Sequence, residues 1–284
     1  MKVTKPITRG NRFRPKKRFG QHFLEDTEII HEILTKADFN KSDRVLEVGP
    51  GYGALTIPMA GLVHEIIAVE KDSYLTRMLR KKLSRSGINN VRLIHDDILS
   101  LDCGKTLPLI VKKIKVIGNL PYTISSPFLD KLINCRKVVN RAILMFQFEF
   151  AKRLIASPGS KAYGAITVSM QYHARLSPLL EVPKEAFYPR PKVGSMVLEF
   201  DFEMPYQKRA EDETVFKMLV KGAFAHRRKT ILNSLGMALS SCSDEDILAA
   251  LDKCGIDPLR RAETLDISAF LHLASALKQS YAIH

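Results

Sequence analysis

The sequence predicts an α/β fold followed by a small all-helical domain. Over about the first two hundred residues, short apolar runs alternate with segments of helical periodicity, which indicates a parallel sheet with helices on both faces. Farther along the chain only helical patterns recur. Because ligands of such sheets collect at the carboxyl ends of the strands, polar residues that follow an apolar run are the candidates for function.

The predicted elements of the sheet domain follow one another in a regular order. Asp26 can cap a first helix, in which Ile29, Ile30, Ile33 and Leu34 recur at helical spacing. The predicted strands are Arg44–Val48, Glu65–Val69, Val91–Ile94, Ile114–Ile117 and Ala142–Phe146. The predicted helices between them are Ala54–Leu62, the basic segment Ser73–Ser84, and one that includes Phe128–Ile133.

Two later runs, Ala165–Leu176 and Val193–Phe202, are predicted to form an antiparallel pair that closes the sheet edge. The helical patterns beyond them are Val215–Phe224, Thr230–Leu239, Asp244–Leu251 and Ile267–Leu277. We therefore divide the chain into a basic amino-terminal arm over residues 1–18, an α/β domain over 19–203 and a helical domain over 204–284.

The charge distribution favours an anionic partner. The chain of 284 residues carries 44 Lys plus Arg against 30 Asp plus Glu, a net charge of +14. Eight of these cations and no acidic residue lie in the first eighteen residues, which suits binding to a phosphate backbone. Arg14, Lys16, Lys17 and Arg18 are the candidate contacts. A solvated tail is the alternative, whereas a transit peptide is disfavoured because the arm lacks serine and an amphipathic pattern.

Several functional classes are disfavoured by what the sequence does not contain. No apolar run approaches the ~20 residues of a membrane span, so no membrane association is expected. The four cysteines show no paired spacing and no export signal is evident, which predicts reduced thiols in a cytoplasmic protein. The eight histidines form no H-E-x-x-H motif, and no metal site is expected.

A glycine-rich segment after the first strand predicts a cofactor site. Gly49, Gly51 and Gly53 let the backbone turn tightly and approach a ligand. Glu70 ends the second strand about twenty residues later, where a carboxylate can accept hydrogen bonds from both ribose hydroxyls. Asp96 and Asp97 follow the third strand, and one of them can bond the adenine amino group of the cofactor; Asp97 is the preferred candidate and Asp96 is expected to cap a helix. This logic serves NAD and S-adenosylmethionine (SAM) equally, although the G-x-G-x-G spacing departs from that of dinucleotide folds.

The tetrapeptide Asn119-Leu120-Pro121-Tyr122 at the end of the fourth strand predicts chemistry on a base. The Asn119 amide oxygen and the Leu120 carbonyl can accept hydrogen bonds from an exocyclic amino group, and Tyr122 can stack on the ring. Phe187, before the proline-stiffened segment Tyr188–Lys192, offers a second stacking face. Together with the glycine loop, these residues predict a SAM-dependent methyltransferase acting on an adenine nitrogen, by positioning and electrostatics.

Over nearly its whole length the chain resembles the KsgA-type ribosomal RNA adenine dimethyltransferases. The matching segments are Arg18–Leu24, Glu47–Thr56, Glu70, Asp97, Asn119–Tyr122, Gln147–Ala151, Phe187–Val193 and His226–Thr230. The resemblance implies a Rossmann-like SAM-dependent methyltransferase sheet with a small all-helical carboxyl-terminal domain. It also implies cofactor contacts from Gln21, His22, Leu24 and Asn119, with His22 at a position where the family often has Asn. Arg227, Arg228 and Lys229 fall on its basic RNA-binding segment.

The resemblance further implies the substrate. Four methyl groups would pass from SAM to two adjacent adenosines near the 3′ end of 16S ribosomal RNA, in an assembling 30S subunit. The enzyme is expected to be a cytoplasmic monomer with a role in small-subunit biogenesis.

Alternatives remain in two classes. An Erm-type methyltransferase acting on large-subunit RNA shares the catalytic motifs, although Lys161–Gly164 and the helical tail favour the KsgA type. A catalytically silent RNA-binding assembly or transcription factor could use the same fold. A NAD-dependent dehydrogenase and a DNA adenine methyltransferase are disfavoured.

Overall fold

The computed structural model describes residues 21–102, 113–239 and 242–281. The predicted basic arm over residues 1–18, with Arg14, Lys16, Lys17 and Arg18, lies outside the described residues.

Nine strands and ten α-helices make up the described part of the chain. The strands are β1 (Phe23–Leu24), β2 (Arg44–Val48), β3 (Glu65–Glu70), β4 (Val91–His95), β5 (Ile114–Asn119), β6 (Val139–Gln147), β7 (Arg175–Val182), β8 (Phe187–Tyr188) and β9 (Ser195–Asp201). The helices are α1 (Thr27–Ala37), α2 (Thr56–Ala60), α3 (Ser73–Arg85), α4 (Ser125–Asn134), α5 (Phe148–Leu154), α6 (Ala165–His173), α7 (Glu213–Ala223), α8 (Ile231–Ala238), α9 (Asp244–Lys253) and α10 (Ile267–Tyr281).

Seven strands form the central sheet in the order β4-β3-β2-β5-β6-β9-β7. The first five are parallel, while β9 runs antiparallel to both β6 and β7. The predicted parallel sheet is therefore confirmed, and so is the strand within Val193–Phe202, but its antiparallel partner at the edge is β7 and not Ala165–Leu176. Strand order reverses between β2 and β5, and sheets of this kind bind ligands where the strands on either side of such a reversal end.

Helices cover both faces of the sheet, which accounts for its nearly continuous apolar strands. One core lies between the sheet and α4, α5 and α6, and includes Leu46, Val116 and Phe128. The other includes Ile33 from α1, Met59 from α2 and Ile66 from β3. Asp26 caps α1 as predicted, since its carboxylate accepts hydrogen bonds from the Glu28 and Ile29 amides.

The prediction of a strand over Ala165–Leu176 is wrong, because this run divides into helix α6 and the start of strand β7. Its alternating apolar residues suggested one buried face. In the structure α6 is buried on two sides, so that Met170 packs in the sheet core while Val168 and Tyr172 pack in the core of the helical domain. A helix with two apolar neighbours needs no polar stripe, and tertiary contacts therefore decided its conformation.

The carboxyl-terminal region is helical in its described part, with α7 to α10 around a core that includes Leu219, Leu235 and Phe270. Arg136, at the end of α4, and Arg209 both bond Glu213 of α7, at 2.7 and 2.6 Å. The Arg136 bond joins the helical region to the sheet domain, whereas the Arg209 bond lies within the helical region. The exact division at residues 203 and 204 stays a prediction, because α6 contributes to both cores.

Two expectations about composition can be compared with the structure. Cys242 and Cys254 are free thiols, whereas Cys135 is disulfide-bonded, so the prediction of reduced thiols is wrong for Cys135. Within the described ranges, no helix combines the length and the apolarity needed to cross a membrane.

Candidate functional site

The carboxyl ends of three neighbouring strands bring the predicted cofactor and catalytic residues together. Val48 of β2 pairs with Val69 of β3 on one side and with Gly118 of β5 on the other. Residues that follow these strands therefore emerge side by side. A Cβ atom built on Gly49 would lie 4.0 Å from the backbone oxygen of Asn119, so the glycine loop and the catalytic motif are neighbours.

The glycine loop has the backbone conformation that its sequence predicts. Gly49, Gly51 and Gly53 have φ angles of +68°, +57° and +82°, in the left-handed region that disfavours side chains. Space is also limiting, because a Cβ on Gly53 would lie 2.6 Å from the Leu79 side chain and one on Gly51 would lie 3.2 Å from the Phe23 ring. The loop is therefore tight at Gly53, and its backbone approaches Phe23 at Gly51.

The carboxylate of Glu70 forms a hydrogen bond with the glycine loop. Its Oε2 accepts a hydrogen bond from the Gly51 amide at 3.1 Å, and its Oε1 accepts one from the Asp72 amide at 2.8 Å. Burial raises the pKa of this carboxyl, and the two amides oppose the rise. Each carboxylate oxygen has a second lone pair, so both can still accept a ribose hydroxyl. Glu70 thus has a structural role in the loop besides its predicted role toward the cofactor.

Asp97 lies at the end of the third parallel strand in contact with a cation. Lys71 donates to its Oδ2 at 2.6 Å, and the Leu99 amide donates to its Oδ1 at 3.0 Å. Burial acts to raise its pKa, but Lys71 and the Leu99 amide outweigh burial and hold the pKa below its ordinary value. A base amino group at this position would share the carboxylate with Lys71.

Asn119 is held by the segment that precedes β1. Its Nδ2 donates to the His22 carbonyl at 2.9 Å, and the Nδ1 of His22 donates to the Pro189 carbonyl at 2.6 Å. Since the first bond uses the nitrogen end of the Asn119 carboxamide, its oxygen is the end available to accept from a substrate. These two bonds link three distant segments of the chain at one point.

The pairing of β1 with β8 explains how those segments meet. Leu24 lies opposite Phe187 and Phe23 opposite Tyr188, and the Glu25 amide donates to the Ala186 carbonyl. The Leu24 and Phe187 side chains are both 5% exposed and lie in the same core cluster. The stacking role of Phe187 stays a prediction.

Of the other predicted catalytic residues, Leu120 and Pro121 form backbone hydrogen bonds. The Leu120 side chain is buried, and its amide donates to the Met145 carbonyl at 3.4 Å. The Pro121 carbonyl accepts from the Ile124 amide, which begins the single helical turn Tyr122–Ile124. The side chain of Tyr122 lies outside the described part of the structure, and its predicted stacking stays a prediction. Gln21 is half-buried next to His22.

Glu47 is a titratable residue of this edge to which the sequence assigned no role. It lies in β2 just before the glycine loop, is 2% exposed, and its Oε2 has no hydrogen-bond partner among the described residues. Burial raises the pKa of Glu47 to about 7, while Thr56 opposes this rise and the nearby Glu70 adds to it. A charged residue in a buried strand is the sequence signal that could have identified it.

The site fits an adenosine-containing cofactor by three structural criteria. The left-handed glycines leave space where side chains would otherwise project, Glu70 presents a buried pair of acceptors, and Asp97 presents another at the adjacent strand end. Within the described residues, no group of three His, Cys, Asp or Glu side chains could hold a metal ion.

The predicted RNA-binding segment has two different kinds of basic residue. Arg228 and Lys229 are exposed. In contrast, Nη2 of Arg227 donates to the Lys161 carbonyl at 2.6 Å and lies 3.2 Å from the Glu263 carboxylate. Arg227 therefore ties the segment to the 157–164 loop. Contact of these three residues with RNA stays a prediction.

Comparison with known proteins identifies the family. Residues 12–279 match the family described as ribosomal RNA adenine dimethylase. The ribosomal RNA small subunit methyltransferase A of Desulforapulum autotrophicum is 42% identical over 262 residues, which cover 92% of each chain. The protein of the same name from Geobacillus thermodenitrificans is 38% identical and covers 96% of this chain and 94% of its own.

Two solved structures are similar over most of the chain. A dimethyladenosine transferase from Plasmodium falciparum has a TM-score of 0.74 and 26% identity, and covers 91% of this chain and 98% of its own. The 23S rRNA methyltransferase ErmE has a TM-score of 0.67 and 25% identity, and covers 90% and 100%. The family match and both relatives extend through the sheet and the helical region, and we conclude that this chain belongs to the ribosomal RNA adenine dimethylase family.

Proposed function

We propose that this protein transfers methyl groups from SAM to the N6 atoms of two adjacent adenosines near the 3′ end of 16S ribosomal RNA. The single observation that carries the proposal is that the glycine loop and the catalytic motif are neighbours. Gly49 lies against the Asn119 backbone, while the Asn119 side chain is held by His22 with its oxygen end left to accept. Methyl donor and target base would therefore meet at one point.

The cofactor would be held by the strand ends described above. Glu70 would accept from the ribose hydroxyls, Asp97 would accept from the adenine amino group, and Gly49 and Gly51 would allow close approach of the backbone. Gln21, His22 and Leu24 would border the site from the amino-terminal side. When bound, SAM supplies an electrophilic methyl group.

The target nitrogen needs help because its lone pair is delocalised into the ring. The Asn119 oxygen and the Leu120 carbonyl would accept hydrogen bonds from the two N–H groups and favour tetrahedral geometry at N6. Tyr122 and Phe187 would hold the extruded base by stacking. No strong base is required, because the nitrogen loses its proton readily once it carries the methyl group. Acceleration would come from positioning and from oriented acceptors.

Similarity supports a small-subunit substrate over the Erm alternative. The relatives named ribosomal RNA small subunit methyltransferase A are 42% and 38% identical, against 25% for the large-subunit enzyme ErmE. Glu70 and Asn119 are both intact, Glu70 bonded to the glycine loop and Asn119 to the His22 carbonyl, which argues against a silent assembly factor. We further propose that the protein acts as a cytoplasmic monomer on an assembling 30S subunit, with a role in its biogenesis.

The test is incubation of undermethylated small subunits with SAM labelled in its methyl group, followed by nucleoside analysis. The proposal expects label in N6,N6-dimethyladenosine of 16S RNA, and none when large subunits replace small ones. Label confined to large-subunit RNA would favour the Erm alternative. Wild-type protein without any transfer, even with SAM bound, would support the silent factor.

A further inference from the structure

Helix α3 carries an exposed basic surface that the site described above does not use. Its sequence from Ser73 to Arg85 contains no acidic residue. We define the α3 basic face as Arg77, Arg80, Lys81 and Arg85, all of which are exposed. None of the four forms an ion pair or a side-chain hydrogen bond with another described residue. Met78, at 41% exposed, lies beside them.

Neither the helix dipole nor i,i+4 ion pairs account for the cluster of cations on the α3 basic face. Cations near the carboxyl terminus of a helix interact favourably with its dipole, which explains Arg85 but not Arg77 or Lys81 in the preceding turns. Arg77, Lys81 and Arg85 follow one another at i, i+4 and i+8, a spacing at which like charges destabilise a helix. In α1, by contrast, Lys36 has Glu32 as an i,i+4 partner. The α3 basic face is thus an uncompensated positive stripe.

The helix lies against the cofactor loop. Its amino-terminal cap, Asp72, donates its amide to Glu70, and Leu79 contacts Gly53. Farther along, Nζ of Lys82 donates to the Tyr52 carbonyl at 3.3 Å. The buried leucine face of α3 therefore packs on the glycine loop, and the α3 basic face lies on the outer side of the same helix. The stripe from Arg77 to Arg85 extends about 12 Å along the helix axis, from the rise per residue.

We propose that the α3 basic face binds the phosphate backbone of the ribosomal RNA substrate. This inference rests on the proposed function and extends it to a surface outside the carboxyl-terminal basic segment. Charge complementarity favours RNA, since two turns of unpaired cations match a phosphate backbone. A membrane surface is disfavoured because such helices insert an apolar face, whereas Leu75, Leu79 and Leu83 of α3 are buried against the protein.

The experiment compares two double variants that each remove an i,i+4 pair of exposed cations. Arg77→Gln/Lys81→Gln alters the α3 basic face, and Lys217→Gln/Lys221→Gln alters an exposed face of α7 as the matched control. Affinity for undermethylated small subunits is measured at several salt concentrations. Losing two phosphate contacts should reduce the slope of log affinity against log salt by about 1.4–1.8 in the α3 variant. The control should keep most of the wild-type slope.

Two outcomes would overturn the inference: a wild-type slope in the α3 variant, or equal losses in both variants. SAM affinity and melting temperature should match the wild type in both, which separates lost RNA contact from misfolding. The same subunits are also assayed for dimethyladenosine with wild-type protein. Methylation by wild type together with an unchanged slope in the α3 variant would reject this surface and leave the proposed function intact, whereas absence of methylation would reject the function itself.

Discussion

The buried carboxyl of Glu47 predicts a pH-dependent stability that one substitution can isolate. Glu47→Gln keeps the shape of the side chain and removes its titration. In the folded protein burial raises the pKa of Glu47 from 4.5 to about 7, so the fold favours the protonated form. Because one pKa unit corresponds to about 1.4 kcal/mol, the full preference amounts to roughly 3 kcal/mol.

The sign follows from the direction of the shift. A raised pKa stabilises the fold fully below pH 4.5, and this contribution is lost as the pH rises through about 7. Between pH 5.5 and 8, the wild type should therefore lose roughly 2 kcal/mol of unfolding free energy relative to Glu47→Gln. The side chain is 2% exposed, so solvent screening does not reduce this figure appreciably.

The assay is urea unfolding of both proteins over this pH range. Glu149→Gln, which changes an exposed carboxyl on α5, serves as the matched control and should follow the wild-type curve. If the unfolding free energies of the wild type and Glu47→Gln change with pH in the same way from pH 5.5 to 8, the raised pKa of the buried Glu47 carboxyl is refuted.

Three further substitutions test the site. Asn119→Ala should affect SAM affinity far less than single-turnover methylation, which should fall by on the order of a hundredfold or more; unchanged turnover would remove Asn119 from the mechanism. Glu70→Gln replaces one carboxylate oxygen, which accepts hydrogen bonds, with an NH2 group that can only donate them. Because the neighbouring backbone amides and the ribose hydroxyls also donate, calorimetry should find SAM binding weakened about tenfold or more. An unaltered dissociation constant would count against the ribose role. His22→Ala removes the bond to Pro189 and keeps the backbone carbonyl that holds Asn119, so turnover should fall only about three- to tenfold. A loss as large as that of Asn119→Ala would assign His22 a direct role.

The sequence predicted the parts of the fold that depend on local pattern. The five parallel strands are buried apolar runs, and the glycine loop follows the first of them. The spacing of apolar residues and the positions of the glycines were therefore sufficient to predict these elements. Because the strands are parallel, the strand ends that carry Glu70, Asp97 and Asn119 lie at the same edge of the sheet. The same reasoning predicted that the candidate cofactor and catalytic residues would lie together at this edge.

The contacts between distant segments could not be predicted in this way. The pairing of β1 with β8 joins residues more than 160 positions apart, and the bond from His22 to Pro189 depends on it. Helix α6 was mistaken for a strand because its alternating apolar residues face two different cores. The Arg227 side chain suggested a free cation, but the fold brings the Lys161 carbonyl and Glu263 to it. In each case, tertiary packing decides the outcome.

The most direct test of the central claim is nucleoside analysis of small subunits that lack the modification, after incubation with labelled SAM and wild-type protein. The account predicts label in N6,N6-dimethyladenosine at two adjacent positions near the 3′ end of 16S RNA, and its loss with Asn119→Ala. Label at another type of atom, or full dimethylation by the Asn119→Ala variant, would contradict it.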